Sequence, residues 1–527
     1  MSTAAVDRYD LRAATMLAPP LALAGLTTFL FVRLLPDVAD KPLHEDEAVA
    51  GLISARPLGD VLHTVVLDRG GAPLHFVLAH LALSIHDSPE VLRWLSVVFA
   101  LATVPLCYDL ARRLAGPLAA LSAATLAATS QLLAVYGTFG RMYSLFACAS
   151  ALSADLFVRA LDRPSRRAFL AATAAALVPL AVHPFGIFPF AAEALVAIWL
   201  WRGQGFRAAL PVVGLGLLAV PLLLADLRLS DRYAPEAGLQ MDGGTSAIAA
   251  TLRALGGAAG GHGVLLGGFA ALAALGAFTL SRRRPSFAAF ACLALAVPPA
   301  ALAAAGAADS VSDRLAPRHL IFMLPLWIVL VAAGVASLSQ QLPARARIAP
   351  IVAVAAAAAL APSAVAEPRT ISTGAPDAVA APAAWLDVHV AAGDVLFPYS
   401  PVFLAALPRA AKARGFSREP VALARAARRT HQVSAVFVSL PLRRPVGDSA
   451  LAGLRRARVE AHAFPSWLIV EVRGPFRDGR AALAAAASAL GRAAPVIAAS
   501  PSTAHAYLEQ LRGTACDALL SLHSSCA

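Results

Sequence analysis

The stretch LAPPLALAGLTTFLFVRLL, Leu17 to Leu35, is followed closely by the acidic cluster His44-Glu45-Asp46-Glu47. Together they decide how the chain is read. About twenty mostly apolar residues suffice to cross a bilayer. The run is too long for the apolar core of a cleavable signal peptide, and no small-residue cleavage site follows it. It therefore reads as a first membrane helix, with the acidic cluster at its mouth. Consecutive carboxylates at a membrane surface are costly to desolvate without partners, so the cluster marks a candidate site.

The composition extends this reading to the whole chain. Of its 527 residues 58% are hydrophobic and only 14% charged, against roughly 25% charged in soluble domains. The formal net charge of +12 does not point to a nucleic-acid partner, because the arginines fall in short loops between apolar runs. These loops hold Arg112-Arg113, Arg163 with Arg166-Arg167, Arg202 with Arg207, Arg282-Arg283-Arg284, and Arg345 with Arg347. Cytoplasmic loops of membrane proteins carry that bias. The cysteines Cys107, Cys148 and Cys292 lie in apolar runs and read as small core residues. Cys516 and Cys526 can pair if the tail is extracytoplasmic.

Apolar runs predict about eleven spans, near 15–36, 91–113, 118–136, 141–160, 168–183, 185–202, 208–227, 262–281, 286–306, 318–339 and 347–366. With the N-terminus cytoplasmic, every arginine cluster falls inside. The segment 73–85 is short for a span and reads as a juxtamembrane or re-entrant helix in the first outer loop. The outer face then collects the 37–90 loop, the Gly137–Gly140 turn, the His183-Pro184 turn, the 228–260 and 307–317 loops, and everything after about 367. Beyond 367 short apolar runs at 395–397, 435–438 and 467–472 read as strands, between helices near 380–391, 402–413 and 420–430. The expected fold is a mainly α-helical polytopic membrane protein with a small extracytoplasmic α/β domain. Its divisions are 1–366, 367–475, and a loosely attached Ala-rich helical tail at 476–527.

Residues able to carry chemistry gather on that outer face. Asp46-Glu47-Ala48 opens a helix and Arg69-Gly70-Gly71-Ala72-Pro73-Leu74-His75 turns back. Glu90 with Leu92-Arg93 starts the next span. Arg141-Met142-Tyr143, His183-Pro184 and Pro317-Arg318-His319 follow. As bland alternatives, Asp46 and Glu47 cap a helix, Arg141 and Arg318 snorkel, His75 and His183 are structural, and Arg69 is an exposed loop arginine.

In order and spacing these motifs resemble the GT-C glycosyltransferases, on the branch of the protein O-mannosyltransferases and the lipid A aminoarabinose transferase. The match covers roughly residues 20–340. Ala72 and His75 depart from the family's Pro-Pro-Leu-Tyr. The resemblance implies an inverting transferase that moves a sugar from a polyprenyl-phosphate carrier to a glycolipid, polysaccharide or protein acceptor at the outer face of the plasma membrane. Under it Asp46 is the general base, and Glu47 or Glu45 orients the acceptor or tunes Asp46. Arg318 and Arg141 receive the phosphate, and Tyr143, His75, His183 and Arg69 line the substrate site.

Glu193, near the middle of a span, should face protein or water. Asp109 and Asp155 lie near cytoplasmic helix ends, within reach of arginines. There is no His/Cys cluster with metal-ligand spacing and no nucleotide-binding glycine motif. No cofactor is expected, and a divalent cation shared by Asp46 and Glu47 has no support in the sequence. Two other classes compete: a secondary transporter or lipid flippase, which would keep ionisable groups at the midplane between repeats, and a non-catalytic membrane scaffold.

Overall fold

The computed structural model describes the chain except residues 1–2, 69–71, 164, 202–216, 225–246, 309–315, 366–375, 408–409, 501–503 and 527. Arg69, the span expected at 208–227 apart from a helical stretch at 217–224, and most of the outer loops expected at 228–260 and 307–317 lie outside the described residues.

The chain opens with helix α1 (Thr3–Asp40), whose apolar part from Pro19 is mostly exposed and forms the edge of a helical bundle. Three short helices follow, α2 (Glu45–Ser54), α3 (Leu58–Asp68) and α4 (Leu74–Ile85), and then the long helix α5 (Glu90–Ala115). Among the described residues seven helices are long and apolar enough to cross a membrane. An eighth is gained if Pro117–Thr129 and Gln131–Gly137, bent by 48°, count as one span. One of the seven, Gly479–Ala498, packs on a sheet, so among the described residues the bundle has six full-length crossings, or seven with the bent pair, beside the eleven spans expected. Arg166–Val182, with 17 residues, and Ala349–Leu360, with 12, are helical but short.

The segment Pro317–Gln340 is 94% buried and forms the centre of the bundle. Its helix Leu324–Gln340 meets Val264–Arg283 backbone to backbone. A Cβ on Gly276 would lie 1.9 Å from the Leu330 carbonyl oxygen, and one on Gly334 2.0 Å from that of Leu272. Small residues of this kind let membrane helices approach closely. At one end of the bundle Asp109 and Asp155 pair with Arg113 and Arg159. Glu193, buried at 4% exposure, accepts a hydrogen bond from the Ser153 hydroxyl at 2.8 Å, so it faces protein as expected.

The C-terminal part holds a five-stranded sheet of order β2-β1-β3-β5-β4, with β1 Val395–Phe397, β2 Arg414–Gly415, β3 His431–Pro441, β4 Glu460–Ala463 and β5 Trp467–Asp478. β1 runs parallel to β2 and β3, and β5 runs antiparallel to β3 and β4. The three strands read from sequence are present, and the short β2 and the polar β4 were not legible. Successive side chains of a strand point to opposite faces. Val436, Val438, Leu468 and Val470 accordingly pack on the helices Pro420–Arg429, Gly479–Ala498 and His505–Ser521. Phe437, Trp467 and Ile469 pack on Ala48, Ile53, Val61 and Phe76 of α2, α3 and α4.

One apolar layer thus glues the sheet to the first outer loop. The boundary drawn at 475 falls inside β5, and the helices beyond it share the sheet's core instead of hanging loosely. Cys516 and Cys526 form a disulfide with a Cα separation of 5.1 Å.

Candidate active site

Helix α2 sorts its three acids by direction, because consecutive helical residues project about 100° apart. His44 is the N-cap: its Nδ1 accepts from the Asp46 amide at 3.0 Å, and its own amide donates to Glu47 Oε2 at 2.9 Å. Glu47, expected beside Asp46 in the chemistry, turns into the protein. Its oxygens also accept from Arg93 Nε, Arg93 Nη2 and the Gly140 amide, each at 2.9 Å. Glu47 is 2% exposed and its carboxylate is fully engaged, which fits a positioning role and not contact with an acceptor. A Cβ at Gly140 would come within 3.0 Å of Glu47 Oε1, so glycine is what allows this approach.

Arg93 is the other half of that lock. Besides Glu47, it donates to the carbonyls of Val38, Lys41 and Pro42 at 2.7–3.0 Å. All five guanidinium N–H groups are thereby used. The arginine, 2% exposed, ties the exit of α1 and the start of α2 to the head of α5.

Asp46 is left facing a different set of partners. Its side chain keeps 32% exposure. Burial works to raise its carboxyl, but the positive field of Arg141, joined by Arg318 and Arg418, outweighs it and holds the group well below the usual carboxylate range. Arg141 Nη1 also donates to the Asp46 backbone carbonyl at 3.1 Å. Arg141 precedes the helix Tyr143–Asp162, and Arg318 sits in the 3₁₀ turn Pro317–Met323 that opens the central span. The structure therefore brings Asp46, Arg141 and Arg318 together from three distant parts of the chain.

An aromatic wall lines this cluster. Tyr143, 2% exposed, stacks on Phe139 with centroids 6.0 Å apart, and the Arg318 guanidinium carbon lies 6.0 Å from the Tyr143 ring centroid. His183 caps the turn Pro184–Gly186 by accepting from the Phe185 amide at 3.1 Å, and it stacks on Phe146. Burial, then Arg141 and Arg318, push His183 down to about 3, so it is neutral. His75 on α4 is lowered to about 3 as well, by burial and then Arg141. Two buried polar atoms here lack a hydrogen-bond partner, His75 Nε2 and Arg141 Nε. Buried polar atoms are normally satisfied, so these two suit a ligand.

Several contributors were not legible in the sequence as site residues. His319 lies against Tyr143 and His183, 6.2 and 5.7 Å between centroids. Arg418 and Tyr507 come from the C-terminal domain, and Tyr507 feels both Arg418 and Glu45. Burial pushes Tyr507 up to about 12, so it stays protonated while hydrogen-bonded to Arg418. Among the described residues the group with metal-ligand spacing is Glu460, His462 and Glu471, on β4 and β5. Arg473 already pairs with both of those glutamates.

Comparison with known proteins bears on this arrangement. Residues 70–226 match the family model described as dolichyl-phosphate-mannose-protein mannosyltransferase. By sequence, none of the curated proteins matches. The crystal structure of ArnT from Cupriavidus metallidurans bound to undecaprenyl phosphate superimposes at a TM-score of 0.55 and 14% identity, over 86% of this chain and 97% of ArnT. Its apo form gives 0.53 and 13%, over 87% and 98%. At such identity the likeness is one of fold.

Proposed function

We propose that the chain, which has the fold of the ArnT structures, is a membrane glycosyltransferase, and that it moves a sugar from a polyprenyl-phosphate donor to an acceptor at the outer face of the plasma membrane, with inversion and with Asp46 as base. The observation that carries the proposal is the meeting of one ionised carboxylate with Arg141 and Arg318, beside buried polar atoms left open. The ArnT structure holds undecaprenyl phosphate, and a donor of that class suits two guanidinium groups near a membrane surface.

In the reaction the acceptor oxygen attacks the anomeric carbon and its proton passes to Asp46. The bond from that carbon to the phosphate oxygen breaks, and the polyprenyl phosphate leaves with the electron pair. The charge growing on the phosphate falls to Arg141 and Arg318, stabilisation that counts most where donors are fixed in advance. His75 and His183, both neutral, are placed to hydrogen-bond sugar or phosphate oxygens without adding charge. Glu47 and Arg93 hold α2 in place. Arg69 lies outside the described residues and stays a candidate for the donor.

The orientation belongs to the same proposal: N-terminus cytoplasmic, C-terminal domain outside. The arginine-rich loops and the Cys516–Cys526 disulfide support it, since disulfides persist in oxidising compartments. The test is to incubate the purified protein with a panel of polyprenyl-phosphate sugars and follow release of the polyprenyl phosphate. If none of them is consumed, the proposal fails.

A further inference from the structure

A cavity of about 400 Å³ lies in the seam between the first outer loop and the edge of the C-terminal sheet. Its volume is within the range of ligand pockets, roughly 300–1,000 Å³. Arg56, Lys412, Arg414 and Arg429 line it with His63, against one acid, Asp60. Among the described residues none of these four cations has an ion-pair partner. Arg56 Nη2 donates to the Gly415 carbonyl at 3.3 Å, and Arg414 Nη1 to the Arg429 carbonyl at 3.1 Å. Arg429 donates to His63 Nε2. Carbonyls and an imidazole nitrogen orient guanidinium groups without supplying a counter-charge. Four like charges held around one hollow repel one another, and an anion entering it would relieve that repulsion.

The cavity is joined to Asp46 along two paths. Helix α2 carries Asp46 in its first turn, and Arg56 lies two residues beyond its end at Ser54, about 15 Å from Asp46 at 1.5 Å per residue. On the other wall Arg414 to Ser417 line the cavity while the next residue, Arg418, faces Asp46.

We infer that the cavity anchors the acceptor, and that the acceptor is an anionic glycan with a carboxylate or phosphate group about 15 Å from the hydroxyl that attacks. This rests on the glycosyltransferase reading and adds the acceptor's chemical class to it.

The experiment measures equilibrium binding of three probes to the detergent-purified full chain: hexagalacturonate, inorganic pyrophosphate and neutral maltohexaose. Hexagalacturonate should bind and maltohexaose should not. Lys412→Gln and Arg429→Gln, both at exposed positions, should each weaken hexagalacturonate binding by roughly tenfold, the scale of one hydrogen bond to a charged group. Circular dichroism of each variant reports whether it is folded, and Arg414→Gln serves as the replacement if either is not. Equal binding of hexagalacturonate by folded variants and unmodified protein overturns the inference. So does binding of pyrophosphate alone, which would mark a small-anion site and not a glycan anchor. Donor consumption by the unmodified protein tests the glycosyltransferase reading on its own, so the two can fail separately.

Discussion

Replacing Asp46 by Asn removes the proton acceptor while disturbing little else. The side chain keeps its shape. The contacts that fix this residue run through its backbone, from the Asp46 amide to His44 and from Arg141 to the Asp46 carbonyl. Helix α2 is held separately by Glu47 and Arg93. General-base help contributes roughly 10²–10⁴ in rate, which at 1.36 kcal/mol per decade is about 2.7–5.4 kcal/mol of barrier. The variant should therefore lose transfer by that factor and still fold, with a thermal midpoint in detergent somewhat below that of the parent, because the carboxylate's favourable interaction with Arg141 and Arg318 goes with the charge. The assay is release of polyprenyl phosphate from a labelled donor, read next to a melting curve on the same preparation. Transfer near the parental rate would refute the assignment of Asp46. A collapse of the melting midpoint would refute the claim that its role is chemical and not structural.

The pH dependence follows from the same cluster. In the free protein the carboxyl is held low by cations, so it is ionised above the unfolded value of about 3.9 and its favourable interaction is lost only as pH falls through the depressed folded value. A bound donor phosphate would draw Arg141 and Arg318 to itself and let the carboxyl rise. The acid limb should then lie at higher pH in kcat, which reports the complex, than in kcat/KM, which reports the free enzyme. Coincident limbs would contradict this. Glu47→Gln should act on stability: it leaves buried Arg93 without its counter-charge, a loss of about 3–5 kcal/mol, seen as a lower melting midpoint and poor yield. Arg93→Lys should behave alike, because lysine offers three donors where the structure uses five. Gly334→Ala should force apart Val264–Arg283 and Leu324–Gln340, at about 1–3 kcal/mol, and an unchanged midpoint would show that these helices slide instead.

Much of this protein could be read from local pattern. Apolar runs and arginine-rich loops are short-range signals, and they marked the bundle, the loop that carries Asp46, and the strands β1, β3 and β5. Strands β2 and β4 escaped notice because the two residues of β2 are too few for a pattern and Glu-Ala-His-Ala holds no β-branched or large apolar side chain. Arg141, Tyr143, His75, His183 and Arg318 were named from motifs; Arg141 and Arg318 lie near Asp46, and the other three lie near those arginines. What the motif could not resolve was the difference between Asp46 and Glu47. Adjacent acids look equivalent in a sequence, and the phase of the helix alone turns one toward Arg93 and the other toward Arg141.

By itself, then, the sequence determined a membrane-embedded chain with an acid-bearing loop after its first apolar helix, because hydropathy and charge act residue by residue against lipid and water. Only the tertiary structure decided which carboxylate remains available, that Arg93 ties down the loop, and that the C-terminal sheet closes over it with Arg418 and Tyr507. Those outcomes depend on contacts between residues far apart in the chain, where the free energy lies in mutual burial and charge pairing that no local window contains.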